Sequence, residues 1–259
     1  MGTVNVGVVD LVATVTFDRP PVNAIDYASM AELTDVFASF TERRDVRAVI
    51  FTATGDRAFI AGVDLAQVGG RDDVEPPAKT VVDPGHVARD LMWAIADCAV
   101  PVIAAVNGPA LGAGLAFAAC CDILLASENA TFGTTEINVG LLGASAHLSL
   151  LVGRHKAREM FFTGEQVPAA ELHRLGAVRA VVPRAELLAT ATELAQTLAA
   201  KSPIAMRLAK EAMNRVEFLP LREAYRTEQD YTSRLLRYED AAEARAAYLE
   251  KRPPDWKWQ

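Results

Sequence analysis

The chain has 259 residues, of which 51% are hydrophobic and 23% are charged, and its net charge is −7 at pH 7. This length supports one large domain, or a domain with an appendage, around a substantial core. The acidic balance argues against a nucleic-acid surface or a polybasic membrane patch. The first ten residues lack the basic start and apolar run of a signal peptide, so we expect a cytoplasmic protein whose three cysteines are reduced.

Patterns in the amino-terminal half predict short strands that alternate with helices. Alternating Val and Thr residues predict a hairpin over residues 4–17, and Asp26 is placed to cap a helix that runs to about Arg43. Segment 69–85 lacks periodicity and is predicted to be a mobile surface loop. The remaining predictions are a strand over 46–52, a helix over 87–98, a strand over 101–106, a helix over 113–120 and a strand over 122–126.

From Ser202 onward the pattern changes to helices only. We divide the chain into an α/β core, residues 1–200, and a helical oligomerisation region, residues 201–259. Segment 253–258 contains two prolines, so it cannot continue a helix, and its two tryptophans are expected to pack on a partner subunit. The predicted elements are helices over 148–162, 169–175 and 184–200, a strand over 178–182, and helices over 203–216, 221–236 and 240–251.

Two segments rich in small residues point to the chemistry. They are AFIAGVDL at residues 58–65 and NGPALGAGL at residues 107–115. Each places small residues in a turn where a backbone N–H can point into open space. Two such N–H groups can converge on one carbonyl oxygen and stabilise it as it becomes an oxyanion. Because this chemistry suits thioesters, we expect an enzyme that stabilises an enolate or a tetrahedral intermediate.

These segments and several others, in the same order, resemble the crotonase superfamily, that is, the enoyl-CoA hydratase/isomerase family. The resemblance covers nearly the whole chain and implies an α/β fold, a spiral of ββα turns with a carboxy-terminal helical trimerisation region. It also implies a homotrimer or a dimer of trimers, and an acyl-CoA substrate with no separate cofactor or metal. The matching pieces are RPPVNAI at 19–25, AFIAGVD at 58–64, PVIAAVNG at 101–108, LGAG at 111–114, FG at 132–133 leading to Glu136, FTG at 162–164 and YLEKRP at 248–253.

The resemblance assigns the catalytic groups by motif position. The two N–H donors are those of Val63 and Ala113, and Glu136 is the acid–base residue. Hydratases of the family hold their water with two glutamates, and the first of these would follow Leu115, where this chain has Ala116. A single base also suits double-bond isomerisation, or water attack on a carbonyl as in ring-opening hydrolases of cyclic diketones. Hydration, isomerisation and C–C hydrolysis therefore stay open, as does a non-catalytic acyl-CoA-binding protein.

The resemblance also implies which residues contact the substrate. Asp64 either binds CoA or stabilises its loop. Ser145 is predicted to cap the helix that contains His147. His147 itself either titrates near neutral pH or is an ordinary helix histidine. Tyr248 and Lys251 either meet the nucleotide end of CoA, in some relatives from a neighbouring subunit, or lie on a solvated helix. The predicted substrate-binding set is Ala61, Asp64, Leu65, Ala66, Ala116, Leu141, Gly143, His147, Tyr248 and Lys251.

Overall fold

The computed structural model describes residues 2–66 and 78–259. Its strands, in chain order, are β1 (Thr3–Val9), β2 (Val12–Asp18), β3 (Ala48–Ala53), β4 (Val102–Val106), β5 (Ala110–Leu111), β6 (Ile123–Ser127), β7 (Thr131–Gly133), β8 (Val167–Pro168) and β9 (Ala180–Val182). The larger sheet has the order β1-β2-β3-β4-β6-β9, in which β1 and β2 form an antiparallel hairpin and the other neighbours are parallel. This confirms the predicted α/β class.

Helices cover both faces of this sheet and make up the carboxy-terminal region. They are α1 (Tyr27–Ser39), α2 (Ala78–Val82), α3 (His86–Ala96), α4 (Ala113–Ala119), α5 (Ser145–Leu151), α6 (Arg154–Thr163), α7 (Ala169–Arg174), α8 (Leu187–Ala199), α9 (Pro203–Val216), α10 (Leu221–Leu235) and α11 (Glu239–Glu250). Two 3₁₀ turns span Thr135–Val139 and Arg184–Glu186. None of the helices within these described ranges has the length and apolar composition that a bilayer crossing requires.

Strand β3 shows how the core is divided by the sheet. Successive side chains of a strand point to opposite faces, so Val49 and Phe51 join the main cluster with α1 and α3, whereas Ile50 joins a second cluster against α8. All residues of β3 except the partly buried Thr52 are buried, as expected for a parallel strand that has helices on both sides. The sheet is therefore rigid, and it fixes the positions of the loops at the ends of its strands.

A second, smaller sheet gathers the motif-bearing loops at one end of this larger sheet. Strand β5 pairs in parallel with β7, and β7 pairs antiparallel with β8. An isolated parallel bridge joins Ile60 to Ala110, and another joins Ile25 to Val63. Three segments that are far apart in the sequence, 19–25, 58–65 and 107–115, are thereby hydrogen-bonded into one layer.

Four local predictions need comment. Asp26 caps α1 as predicted, since its carboxylate accepts from the Ser29 N–H at 2.8 Å, but the helix ends at Ser39. The single helix predicted over 148–162 is wrong, because the chain breaks at Gly153 between α5 and α6. Ser145 lies inside α5 and does not cap it. The loop predicted over 69–85 contains α2 instead, and its portion up to residue 77 lies outside the described residues.

The carboxy-terminal tryptophans make contacts within their own chain, and their packing on a partner subunit stays a prediction. The Trp258 ring lies under two guanidinium groups, those of Arg44 at 5.7 Å and Arg207 at 5.3 Å from the ring centroid. The Trp256 indole donates to the Ala200 carbonyl at 3.0 Å. Cation–π attraction and indole hydrogen bonding both act within one chain, and they leave the two tryptophans half-buried.

Candidate active site

A cavity of about 590 Å³ opens between the small sheet, α3 and the 3₁₀ turn that follows β7. Its volume lies in the ordinary range for small-molecule sites. It brings together eight of the predicted site residues, which are Ala61, Val63, Leu65, Ala113, Ala116, Glu136, Leu141 and Gly143. Most of the remaining wall is apolar, so a bound group would be shielded from water there.

Val63 presents its N–H to this cavity because of the way its neighbours are paired. Ile25 donates to the Gly62 carbonyl at 2.9 Å and accepts from the Asp64 N–H at 2.9 Å. Consecutive peptide groups of an extended segment point to opposite sides, so the N–H of Val63 points away from Ile25. No residue in the described ranges accepts a hydrogen bond from it, which leaves it available to a ligand.

Ala113 supplies the second free N–H at the first position of α4. The first N–H groups of a helix have no partner within the helix, and none of the described residues accepts from Ala113. The preceding Gly112 has φ 54° and ψ −116°, a conformation that residues with a side chain rarely adopt. Its N–H donates to the Gly133 carbonyl at 2.9 Å, so the turn that aims Ala113 is tied to β7.

The same turn leaves room for the carboxylate of Glu136. A Cβ atom placed on Gly112 or on Gly143 would lie only 2.7 Å from Oε1 of Glu136. The other oxygen, Oε2, is buried and has no hydrogen-bond partner within the described residues. Burial raises the pKa of Glu136 above its ordinary value of 4.5, and a backbone hydrogen bond offsets this only in part. A carboxyl group with a raised pKa binds a proton more readily than an exposed one, which suits a group that takes up and returns a proton.

Ala116, which follows Leu115 where the family resemblance led us to expect another glutamate, lies in the cavity wall, and its methyl group is completely buried. Of the residues described in the cavity wall, Glu136 is the one carboxylate. The described part of the chain contains no group of three or more His, Cys, Asp or Glu side chains that could hold a metal ion. The site therefore offers two N–H donors and one acid–base residue.

The structure does not bring the other predicted residues to the cavity. Asp64 points instead to Arg19, and Ala66 donates its N–H to the Asp64 carboxylate at 3.0 Å. His147 is half-buried on α5, outside the cavity wall, and burial lowers its pKa. Tyr248, at the end of α11, is 83% exposed, and it stays a prediction for the nucleotide end of CoA together with Lys251.

Several wall residues were not predicted from the sequence. Helix α3 contributes Ala88 and Met92, one turn apart on the same face, and the turn before it contributes Pro84 and Gly85. The spacing of four between Ala88 and Met92 predicts that they share a helix face. Whether this face lines a cavity or packs in the core depends on contacts with distant parts of the chain. Others missed were Tyr27, Asn138 and Gln166, polar residues that no motif distinguished.

Comparison with known proteins supports a common origin for this arrangement. The family model "Enoyl-CoA hydratase/isomerase" matches residues 9–259. A (7aS)-7a-methyl-1,5-dioxo-2,3,5,6,7,7a-hexahydro-1H-indene-carboxyl-CoA hydrolase of Rhodococcus jostii is 39% identical over 226 residues, covering 87% of this chain and 86% of its own. A short-chain-enoyl-CoA hydratase of Clostridium acetobutylicum is 34% identical, covering 93% and 92%. The crystal structure of an enoyl-CoA hydratase from Bacillus anthracis superposes with TM-score 0.91 at 31% identity, covering 99% of each chain.

Proposed function

Because the chain belongs to the enoyl-CoA hydratase/isomerase family, whose members act on CoA thioesters, we propose a definite role for each group in the cavity. The N–H groups of Val63 and Ala113 hold the thioester oxygen, and Glu136 moves the proton. The observation that carries this proposal is that the unpaired, buried carboxylate oxygen of Glu136 shares one cavity with both free N–H groups.

The simplest reaction for these groups is proton transfer at the carbon next to the thioester. Glu136 takes a proton from that carbon, and the electron pair moves to the carbonyl oxygen, which becomes an enolate oxygen. The two N–H groups stabilise the developing charge, an effect that reaches about 10²–10³ in kcat for a single donor. Return of the proton to another carbon of the same system completes an isomerisation.

Ring-opening hydrolysis is the second candidate, and the methyl group of Ala116 favours it. Hydration of a double bond in this family uses two carboxylates, and the described cavity wall contains only that of Glu136. Hydrolysis of a cyclic ketone needs only one base. Glu136 takes a proton from water, the hydroxide adds to the ring ketone, and the bond from that carbon to the thioester's α-carbon breaks. The electron pair becomes the thioester enolate, and Glu136 returns its proton to the α-carbon.

The first experiment separates these reactions by mass. The enzyme is incubated in deuterated water with crotonyl-CoA, with a 3-enoyl-CoA and with 2-oxocyclohexanecarboxyl-CoA. Deuterium incorporation without gain of water indicates isomerisation, whereas gain of one water by the cyclic substrate indicates hydrolysis. The Glu136→Gln variant should lose turnover by about 10²–10⁴ while binding the thioester equally well. Equal binding without turnover in either form would show a non-catalytic acyl-CoA-binding protein and contradict the proposal.

A second experiment restores the missing carboxylate. Ala116→Glu, with Ala116→Gln as its matched control, should gain hydration of crotonyl-CoA that the control does not gain. The two side chains have nearly the same volume, so a difference between them reports the carboxylate and not the loss of space. Fast hydration of crotonyl-CoA by the unaltered enzyme, on the order of 10 per second, would contradict the role given to Ala116.

The assembly proposed for this chain is a homotrimer or a dimer of trimers in the cytoplasm, with CoA as part of the substrate and no separate cofactor. Supporting this, α9 and α10 carry large apolar side chains at the surface, among them Met213 at 70% and Leu221 at 84% exposure. Such a patch is typical of a surface that another chain covers. Light scattering coupled to size-exclusion chromatography tests the assembly, and a monomeric mass would contradict it.

A further inference from the structure

Arg19 lies behind the loop that presents Val63, and its guanidinium binds three acceptors at once. Nη1 donates to the Ala24 carbonyl at 2.6 Å, Nη2 donates to the Asp64 carboxylate at 2.6 Å, and Nε lies 3.2 Å from the Asp26 carboxylate. The planar guanidinium suits this arrangement, because its N–H groups diverge in fixed directions. Arg19 thus joins the segment before α1 to the residue that follows Val63.

The base of this arrangement is fixed in the core. The Arg19 N–H donates to Oδ1 of Asn23 at 2.8 Å, and the Asn23 N–H returns a bond to the Arg19 carbonyl at 2.9 Å. Asn23 is only 4% exposed, and its amide donates to the carbonyls of Thr54 and Ala58. The backbone of Arg19 therefore belongs to a rigid turn, which is hydrogen-bonded to the segment that follows β3.

The other end of the arrangement is Asp64, which is bonded on both sides. Its carboxylate accepts from Arg19 and from the Ala66 N–H, and its own N–H donates to Ile25. The hydrogen bond from Arg19 and then that from Ala66 hold the pKa of Asp64 below its ordinary value. The carboxylate is consequently ionised at neutral pH and pairs with Arg19 as a charged group.

We propose that Arg19, acting through Asp64, is a positioning residue for the Val63 N–H. The inference rests on the oxyanion role proposed above for Val63. The backbone on either side of Val63 is bonded to Ile25 through two hydrogen bonds, and it can rotate about them. The peptide that joins Val63 to Asp64 transmits such a rotation to Val63. The ion pair opposes this rotation. The guanidinium of Arg19 thereby binds groups of the protein, and we do not expect it to bind the phosphates of CoA.

The test uses Arg19→Met and Asp64→Asn in the full-length enzyme, with Arg174→Met as the matched control. Arg174 forms an ion pair with Glu171 through two hydrogen bonds on α7, and neither residue lines the cavity. We expect kcat to fall by about 10- to 100-fold in both loop variants, with KM changed less than about threefold. Arg174→Met should leave both constants unchanged. Arg19→Lys should recover only part of the loss, since a compact ammonium group lacks the planar, spread N–H groups with which the guanidinium reaches its acceptors.

Infrared spectroscopy gives a readout that a merely structural role would not move. The probe is acetyl-CoA labelled with ¹³C at the carbonyl, bound to each variant. In the unaltered enzyme the C=O stretch should shift to lower frequency, and in Arg19→Met and Asp64→Asn this shift should shrink. An equal shift in all three enzymes would overturn the role of Arg19. Absence of the shift in the unaltered enzyme would instead contradict the oxyanion site itself, so the two failures are distinguishable.

A double variant completes the test. If Arg19 acts through Asp64, the two substitutions remove one interaction, and Arg19→Met/Asp64→Asn should be no slower than the slower single variant. Multiplication of the two losses would show that Arg19 acts by another route and would overturn the inference. Thermal unfolding of each variant, measured beside these rates, identifies any loss that is due only to unfolded protein.

Discussion

The loops that present Val63 and Ala113 supply the same chemical group to one cavity, yet they are held by different forces. The Ala113 loop is fixed by close packing, since a Cβ atom on Gly114 would lie 2.1 Å from the Ile60 carbonyl oxygen. The Val63 loop is fixed by hydrogen bonds and by the partly exposed ion pair of Arg19 with Asp64. Both loops use backbone hydrogen bonds, but the Ala113 loop adds close packing against Ile60, whereas the Val63 loop adds an ion pair. The difference predicts that salt and pH act on one side of the oxyanion site.

Of the changes made to the two loops, removal of either N–H has the largest expected effect. Replacement of Val63 or Ala113 by its α-hydroxy acid analogue exchanges the peptide N–H for an ester oxygen and keeps the side chain. We expect kcat to fall by about 10²–10³ at each position, because each ester lacks one donor to the thioester oxygen. Single-turnover kinetics measure the loss. A large loss at one position with none at the other would break the comparison, since the site would then have a single donor.

The packing that holds Ala113 is tested by Gly114→Ala. The added methyl group would collide with the backbone of Ile60, and overpacking of this kind costs about 1–3 kcal/mol or more. For a chain of this size we expect the melting temperature to fall by about 5–10 °C. Gly7→Ala is the control, because a Cβ atom on exposed Gly7 meets no atom within 4 Å. Equal melting temperatures for the two variants would show that the helix start is not tightly packed.

The buried carboxylate between the two loops should reduce stability at neutral pH. The folded protein raises the pKa of Glu136 through burial, so the folded state favours the protonated form. Stability is fully present below the unfolded pKa, near 4.5, and falls as pH rises through the folded value. Glu136→Gln should therefore raise the melting temperature at pH 7, and the gain should vanish below about pH 4. Exposed Glu193 gives the control substitution, Glu193→Gln, which should show no gain at either pH.

The smallest expected effect is that of salt on the Val63 side. An increase from about 0.1 M to about 1 M salt shortens the screening length from about 10 Å to about 3 Å. Since the Arg19–Asp64 pair is partly exposed, we expect kcat at saturating substrate to fall by about twofold, the size typical of such pairs. Asp64→Asn should lose this salt dependence. Equal salt dependence in both enzymes would assign the effect to other charges.

The part of the fold that local patterns specify was predictable from the sequence. Asp26 marked the start of α1, and the alternation of residues 4–17 marked the first hairpin. The break at Gly153 was missed because helical patterns lie on both sides of it, whereas Val152 and Gly153 themselves adopt extended backbone. In the same way, no local signal shows that the tail folds back on Arg44 and Arg207.

The candidate site was predictable where its function needs small residues in fixed order. The turns with Gly62 and Gly112, and Glu136 after β7, could be found from the sequence because motif order carried them. The contribution of Met92 and Ala88 could not be predicted, since an apolar helix face fits a protein core equally well. The partner of Asp64 was also hidden, because Arg19 precedes it by 45 residues and only the folded chain joins them.

The buried methyl group of Ala116 has an evolutionary consequence. Every alanine codon becomes a codon for aspartate or glutamate when its middle base changes from C to A. A single point mutation can therefore place an acid in the wall opposite a glutamate and two amide donors that need not change. The carboxylate content of such a cavity can therefore change by one base while the scaffold around it stays the same.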